Sequence, residues 1–128
     1  MTISEVSEKY GISCDTLRWY EKIGLLKNVG RKSSGLRDYN ETNCKTVEFI
    51  KCMRDAGVAV ETLIEYMNLF EEGDSTLEKR KNLLVMQREI ILKKRADLDK
   101  SIQRLNYKIE NYESLIDIQK KMIGGNQK

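Results

Sequence analysis

The sequence has no histidine, the side chain that most often acts as a general base near neutral pH. It also shows no glycine loop of the phosphate-binding type and no recognisable pair of catalytic carboxylates. These absences predict that the chain is not an enzyme and holds no cofactor.

Proline is also absent, and no apolar run approaches the roughly 20 residues that cross a bilayer. Three cysteines without a pairing pattern argue against a secreted disulfide scaffold, and the polar opening residues do not read as a secretory signal. We therefore expect a cytoplasmic protein with reduced thiols and no membrane contact. Because 34% of the residues are charged and nothing interrupts helices, the fold should be mostly α-helical.

The net charge is only +3, but the charge is unevenly distributed. Residues 16–39 hold six basic and two acidic side chains, whereas residues 58–75 hold five acidic and no basic ones. A concentration of basic charge is the electrostatic signature of a nucleic-acid surface. We expect residues 16–39 to face DNA.

The first 24 residues have the outline of a helix-turn-helix. The segment Thr2–Glu5 fits a capping box and predicts a first helix over Ile3–Lys9. After a glycine turn, Ser13 can cap a second helix over Cys14–Ile23, which Gly24 ends. Two short helices around such a turn are typical of this motif.

Leu25–Tyr39 has no helical period and reads as a two-stranded hairpin with a basic, glycine- and serine-containing tip. A hairpin of this kind is marginal alone, so it must lean on the helices. Asn40 then caps a third helix over Glu41–Ala56, and a fourth covers Val60–Glu72. Their core candidates are Val47, Phe49, Ile50, Met53, Leu63, Ile64, Met67 and Phe70.

The longest element opens at a second capping box, Ser75–Glu78, and meets no breaker before Gly124, a length of roughly 70 Å. Apolar residues recur along it at heptad positions. A stripe of this length needs a partner helix, and the same helix of a second subunit fits best. The predicted dimerisation residues are Leu84, Ile91, Leu98, Ile102, Leu105, Ile109, Tyr112 and Ile116.

These elements predict a mostly all-α fold: a winged helix-turn-helix head with a small β-hairpin wing, and a long C-terminal coiled-coil helix. The expected domains are a DNA-binding head at 1–73, a dimerisation helix at 74–122 and a flexible tail at 123–128.

The second helix carries small polar residues at its start and basic ones further on, as a recognition helix requires. Arg18 suits bidentate binding of guanine, and Tyr20 can donate to a phosphate. The alternative is an ordinary surface helix with Arg18 and Lys22 solvated, and the hairpin tip would then be a plain solvated turn.

Taken together, these segments closely resemble the MerR family of bacterial transcription regulators. The resemblance covers the chain to about Met122, with one mild departure, since Trp19-Tyr20 stands where the family usually has Tyr-Tyr. The segments that carry it are Ile3–Ser7, Gly11–Ser13, Thr16–Lys22, Gly24–Leu26, Arg31…Gly35–Tyr39 and Phe49–Gly57.

The resemblance implies a homodimer joined by an antiparallel coiled coil. Each head would read half of a palindromic element in double-stranded promoter DNA, within an overlong spacer. The activated dimer would distort that spacer and so act on RNA polymerase indirectly. Thr16 and Arg18 would face bases, and the loop Gly57–Val60, with Arg54 nearby, would form a second wing. The remaining DNA-binding residues would be Trp19, Tyr20, Arg31, Lys32, Arg37 and Tyr39.

The resemblance also bears on the inducer. Metal-sensing relatives carry cysteines from the start of the long helix onward; here all three precede Val58, so we expect no metal site. Drug-sensing relatives add a C-terminal domain for which the tail leaves no room. The third helix is similar to a subgroup that responds to reactive aldehydes and other carbonyl electrophiles through a cysteine at the position of Cys52, where Lys51 and Arg54 would favour the thiolate.

Two alternatives stay open. Cys52 lies three residues after Phe49, on a face where a free cysteine can simply be a small core residue. The whole chain, moreover, also fits an architectural, excisionase-like protein that bends DNA without sensing an effector. Such a protein would bind DNA but would never switch on transcription.

Overall fold

The computed structural model describes residues 1–126, with side chains through residue 123. The chain divides into two units, one from Met1 to Gln87 and one from Arg88 onward. Within the described residues, no helical segment combines the length and apolarity that crossing a bilayer requires.

The helix-turn-helix forms as predicted. Helix α1 (Ile3–Tyr10) begins at a capping box in which the Thr2 hydroxyl accepts from the Glu5 N–H and the Glu5 carboxylate accepts from the Thr2 N–H. Helix α2 (Cys14–Lys22) is capped by the Ser13 side chain, which accepts from the Thr16 N–H at 3.1 Å. Each cap satisfies a backbone donor that the first turn of a helix leaves free.

The wing is a minimal antiparallel hairpin of two strands, β1 (Gly30–Arg31) and β2 (Arg37–Asp38). Gly30 pairs with Asp38 and Arg31 pairs with Arg37. At the tip, Gly35 has a φ of 86°, a conformation that favours glycine, and its N–H donates to the Lys32 carbonyl at 2.8 Å.

Helices α3 (Glu41–Asp55) and α4 (Val60–Glu72) complete the head. Helix α3 begins at a reciprocal capping box formed by Asn40 and Asn43. Helix α4 has Ala59 at its N-cap position and no side-chain cap. The loop between them is closed by Arg54, whose Nη1 donates to the Val58 carbonyl at 2.6 Å.

The core of the head is smaller than the apolar periodicity predicts. Val47, Ile50 and Leu63 are buried as expected, but Phe70 is 56% exposed. The other four core candidates, Phe49, Met53, Ile64 and Met67, are only half-buried. With so few elements in the head, each helix has only part of its apolar stripe covered. The largest fully buried side chains are Val6, Leu17, Leu25, Leu26, Tyr39, Val47 and Ile50.

A short 3-10 helix (Asp74–Thr76), which the sequence did not predict, separates α4 from helix α5 (Leu77–Asn126). Its Thr76 hydroxyl donates back to the Leu69 carbonyl at 2.6 Å, and Ser75, the predicted first residue of the capping box, lies inside this 3-10 helix. Glycines at 124 and 125 do not end α5, because glycine weakens a helix by only about 1 kcal/mol per residue. Residues 127 and 128 of the predicted tail lie outside the described part.

From Arg88 onward α5 is a single helix whose apolar residues are largely exposed within its own chain. The predicted fold class is therefore confirmed: a mostly helical chain with a winged helix-turn-helix head and one long C-terminal helix.

Candidate nucleic-acid interface

The recognition helix α2 presents an exposed polar face. Arg18 is exposed, and its Nη1 lies 2.9 Å from Oδ1 of Asp15 one turn earlier. The half-buried Thr16 accepts a hydrogen bond from the Ser13 hydroxyl at 2.8 Å, and the Trp19 side chain is 47% exposed. Four of the predicted DNA-binding residues lie on this helix, and three of them, Thr16, Arg18 and Trp19, are at least partly exposed, with Arg18 already paired to a carboxylate.

The wing lies against α2 through a cluster of three charged side chains. Arg31 Nη2 donates to Oε1 of Glu21 at 2.8 Å, and Arg37 Nε donates to Oε2 at 2.6 Å. Lys32, also predicted to bind DNA, is exposed at the wing tip and forms no ion pair with any residue of the described chain. The structure thus brings Arg31 and Arg37 beside the recognition helix, whereas Lys32 lies at the wing tip without a hydrogen bond or ion pair to that helix.

Glu21 is the residue that the sequence reasoning missed at this site. Burial raises the pKa of Glu21, but hydrogen bonds from Arg37 and Arg31 outweigh it, so the pKa lies below its ordinary value of 4.5. The same contacts raise the pKa of Arg37. The sequence did contain a signal for this residue, since Glu21 is one of only two acidic residues in the basic stretch 16–39.

Two predicted phosphate contacts lie inside the head. Tyr20 is buried, its ring 5.7 Å from that of Trp19. Tyr39 is only 1% exposed, and its hydroxyl has no hydrogen-bond partner among the described residues. Burial raises the pKa of Tyr39. Tyr39 directly follows β2 and is buried in the DNA-free head, so its role at a phosphate stays a prediction.

Arg54 lies at the predicted second wing, the loop between α3 and α4. One of its guanidinium nitrogens donates to the Val58 carbonyl, which fixes this loop. The rest of the side chain is exposed. Arg54 is therefore both a structural brace and an available cation on the same head.

The three cysteines occupy different environments: Cys44 is buried, Cys14 is half-buried and Cys52 is exposed. The alternative in which Cys52 is a core residue is therefore wrong. The cations expected beside its thiol are engaged elsewhere, since Lys51 pairs with Asp55 at 3.1 Å and Arg54 binds the Val58 carbonyl.

A hollow of about 250 Å³ lies between α3 and α4, and its α3 side runs from Thr42 to Phe49, three residues before Cys52. Phe49 and Tyr66 line it, with their ring centroids 5.4 Å apart, together with Met67 and Phe70. Thr42, Lys45 and Thr46 form its polar side.

Lys27 connects the segment before the wing to the end of α4. Its Nζ lies 2.6 Å from Oδ1 of Asn68 and 2.9 Å from Oε2 of Glu71. The segment that leads into β1 is thus attached to helices of the head at both ends. Lys27 binds α4, and Arg31 binds Glu21 of α2.

The comparisons with known proteins agree with this geometry. The model of the MerR HTH family of regulatory proteins matches residues 1–69. The HTH-type transcriptional regulator AdhR of Bacillus subtilis is 51% identical over 92 residues, 72% of this chain and 66% of that protein. An uncharacterized HTH-type transcriptional regulator of Haemophilus influenzae is 31% identical over 112 residues, 88% of this chain and 83% of its own.

Solved structures give the same result. A putative MerR family transcriptional regulator from Listeria monocytogenes superposes with a TM-score of 0.92 at 39% identity, covering 98% of this chain and 96% of its own. HiNmlR, a MerR family regulator lacking the sensor domain and bound to promoter DNA, superposes with a TM-score of 0.82 at 31% identity, covering 88% and 90%. These relatives are regulators, not enzymes, and the family model spans more than half of the sequence; the chain belongs to the MerR family of DNA-binding transcriptional regulators.

Proposed function

We propose that the chain binds a palindromic promoter element as a homodimer and activates transcription by distorting an overlong promoter spacer. RNA polymerase is then reached only through the DNA. We further propose that reactive aldehydes or related electrophiles trigger this change through Cys52. The domain roles follow: residues 1–73 read DNA, residues 74–122 dimerise, and the tail 123–128 does neither.

The observation that carries the homodimer is the uncovered apolar seam of α5. This helix has 50 residues, about 75 Å, and its seam side chains remain about half exposed or more in the single chain. Apolar residues at heptad spacing on a helix otherwise rich in charge are stabilised by a second helix of the same pattern. The seam positions that support this are Leu98, Ile102, Leu105, Ile109, Tyr112 and Ile116.

DNA reading is supported by the arginines of α2 and of the wing, which the Glu21 contacts hold against α2. Arg18 on α2 suits base edges, and the wing arginines suit phosphates. The relative HiNmlR is bound to promoter DNA. A two-fold symmetric pair of such heads fits a palindromic site, because half-sites repeat the symmetry of the protein.

Sensing through Cys52 is supported by its exposure and by an aromatic hollow whose lining includes Phe49, three residues earlier on the same helix. The thiol adds across the carbonyl of an aldehyde: the sulfur bonds to carbon, and the carbonyl oxygen takes the proton, giving a hemithioacetal. This step needs no oxidant and reverses when the aldehyde is removed. The hollow beside Phe49 would retain the carbon chain of a small aldehyde.

The homodimer is tested by sedimentation of Leu105→Asp, which places a charge on the seam, beside Tyr107→Asp, an exposed position off the seam. We expect the first variant to sediment as a monomer and to lose cooperative protection of an inverted-repeat duplex. The second should behave as wild type. A wild-type chain that sediments as a monomer at micromolar concentration would refute the proposal.

The sensor is tested by transcription from a promoter that the wild type activates, with formaldehyde or methylglyoxal as the probe. Cys52→Ser should bind the promoter normally but give no increase in transcript, whereas Cys44→Ala, which alters a buried thiol, should still respond. An unchanged response in Cys52→Ser removes the sensing role and leaves DNA binding in place. Binding without activation by any aldehyde would favour the architectural alternative.

A further inference from the structure

Glu21 lies where the recognition helix meets the wing, and its carboxylate joins the two. One oxygen accepts from Arg31 at 2.8 Å and the other from Arg37 at 2.6 Å. The Glu21 side chain is 22% exposed, so both contacts are partly shielded from water. Hydrogen bonds between charged groups in such surroundings are stronger than those between neutral groups.

The register of the hairpin places two like charges next to this carboxylate. Arg31 and Arg37 are directly paired across the two strands. Like charges directly opposite each other destabilise a strand pair, and strands of two residues have little else to hold them. Glu21 offsets this repulsion, because its negative charge contacts both guanidinium groups.

We propose that Glu21 is a positioning residue for DNA binding, which holds Arg31 and Arg37 as one preorganised phosphate-binding pair. This inference rests on the proposed role of the two arginines at the DNA backbone. Glu21 itself carries the wrong charge to contact a phosphate and acts only through its neighbours.

The donor count supports this role. A guanidinium group has five N–H donors. Arg37 uses its Nε–H on Glu21, and Arg31 uses one donor on Glu21 and another on the Gly30 carbonyl at 3.3 Å. The remaining donors are available to phosphate oxygens. Because both side chains are ordered before DNA arrives, less conformational entropy is lost on binding.

The charge of the cluster is also informative. Two cations and one anion leave a net charge of +1, which one phosphate neutralises. The cluster therefore attracts an anion. Before the anion binds, the Glu21 carboxylate offsets the repulsion between the two arginines.

The proposal predicts whether Glu21→Gln strengthens or weakens DNA binding. Glu21→Gln removes one negative charge from a DNA-binding surface, so charge alone predicts tighter binding. Loss of positioning predicts weaker binding, by about tenfold if one charge-assisted hydrogen bond is lost. The probe is an inverted-repeat duplex that the wild type selects from a random-sequence pool, and binding is measured by fluorescence anisotropy. The matched control is Glu48→Gln, which makes the same charge change at an exposed residue on α3.

Two further variants separate positioning from a general loss of folding. Arg37→Lys keeps the charge but loses the Nε donor, and it should weaken binding as Glu21→Gln does. When Arg31 and Arg37 are both changed to Gln, the Glu21→Gln substitution should cause no additional loss. Circular dichroism should show the same helix content in every variant. The slope of log affinity against log salt should fall by about one for each phosphate that a variant no longer binds.

Distinct results overturn distinct statements. If Glu21→Gln binds as tightly as wild type or more tightly, Glu21 is not a positioning residue. The same conclusion follows if it weakens binding equally without the two arginines. If wild type binds but the double arginine variant binds equally well, the phosphate role of the wing is wrong. If wild type selects no duplex, the proposed function itself fails.

Discussion

Replacing Tyr39 with phenylalanine should stabilise the head, because the change removes a hydroxyl that the fold buries at a cost. The side chain is 1% exposed, and its oxygen has no hydrogen-bond partner among the described residues. Mutational data place the cost of a buried, unpaired hydroxyl at about 1–3 kcal/mol. Burial also raises the pKa of Tyr39, so the hydroxyl stays neutral at physiological pH and no charge is lost in the variant.

We expect Tyr39→Phe to raise the free energy of unfolding by about 1 kcal/mol, the lower end of that range. For a head of this size, the midpoint of thermal unfolding should rise by about 4–8 °C. Circular dichroism at one fixed protein concentration measures it, since the midpoint of a dimer depends on concentration. Tyr107→Phe, which changes a hydroxyl that lies 68% exposed on α5, should leave the midpoint unchanged.

The same variant tests the DNA-binding role that the family resemblance implied for Tyr39. If the hydroxyl is buried as described, Tyr39→Phe should bind promoter DNA as tightly as wild type. A drop in the unfolding midpoint would show that the hydroxyl has a stabilising partner and would refute the reasoning. Weaker DNA binding at normal stability would instead show that Tyr39 turns outward in the complex.

Three other changes have defined outcomes. Asp15→Asn should free Arg18 and raise the affinity for a random-sequence duplex several-fold. The affinity for a selected site should rise less. Equal gains for the two duplexes in anisotropy titrations would contradict this. Asn40→Ala removes the oxygen that accepts from the backbone N–H of Asn43 at 2.8 Å, and should lower the free energy of unfolding by about 1 kcal/mol in urea titrations; an unchanged midpoint would contradict it. The Glu21 contacts should stabilise wild type over Glu21→Gln at about pH 5–8. That advantage should disappear as the pH falls through the lowered pKa of Glu21, and an advantage that grows in acid would refute it.

Local signals in the sequence predicted the helices of the head well. Capping residues such as Thr2, Ser13 and Asn40 act within one turn of themselves, so the helix starts follow from them directly. The wing, too, was placed correctly, because its loss of helical period and its glycine tip are local features.

Burial was predicted less well, because it depends on contacts between distant segments. Phe70 has the spacing of a core residue, yet it is 56% exposed, with the Arg80 guanidinium over its ring at 5.0 Å. Sequence spacing left Cys52 either exposed or in the core, and it did not indicate that Tyr39, a predicted phosphate contact, is buried. The Glu21 cluster also escaped prediction, since its members are 10 and 16 residues apart.

The Lys27 contact connects the residues just before the wing to helix α4. The last turn of α4 holds Lys27, three residues before β1, and the hydroxyl of Thr76 ties that same turn to the start of α5. Arg80 extends this chain of bonds, since its Nε donates to the Thr76 oxygen. The segment before β1, the last turn of α4 and the first turn of α5 are therefore joined by one continuous series of hydrogen bonds and an ion pair.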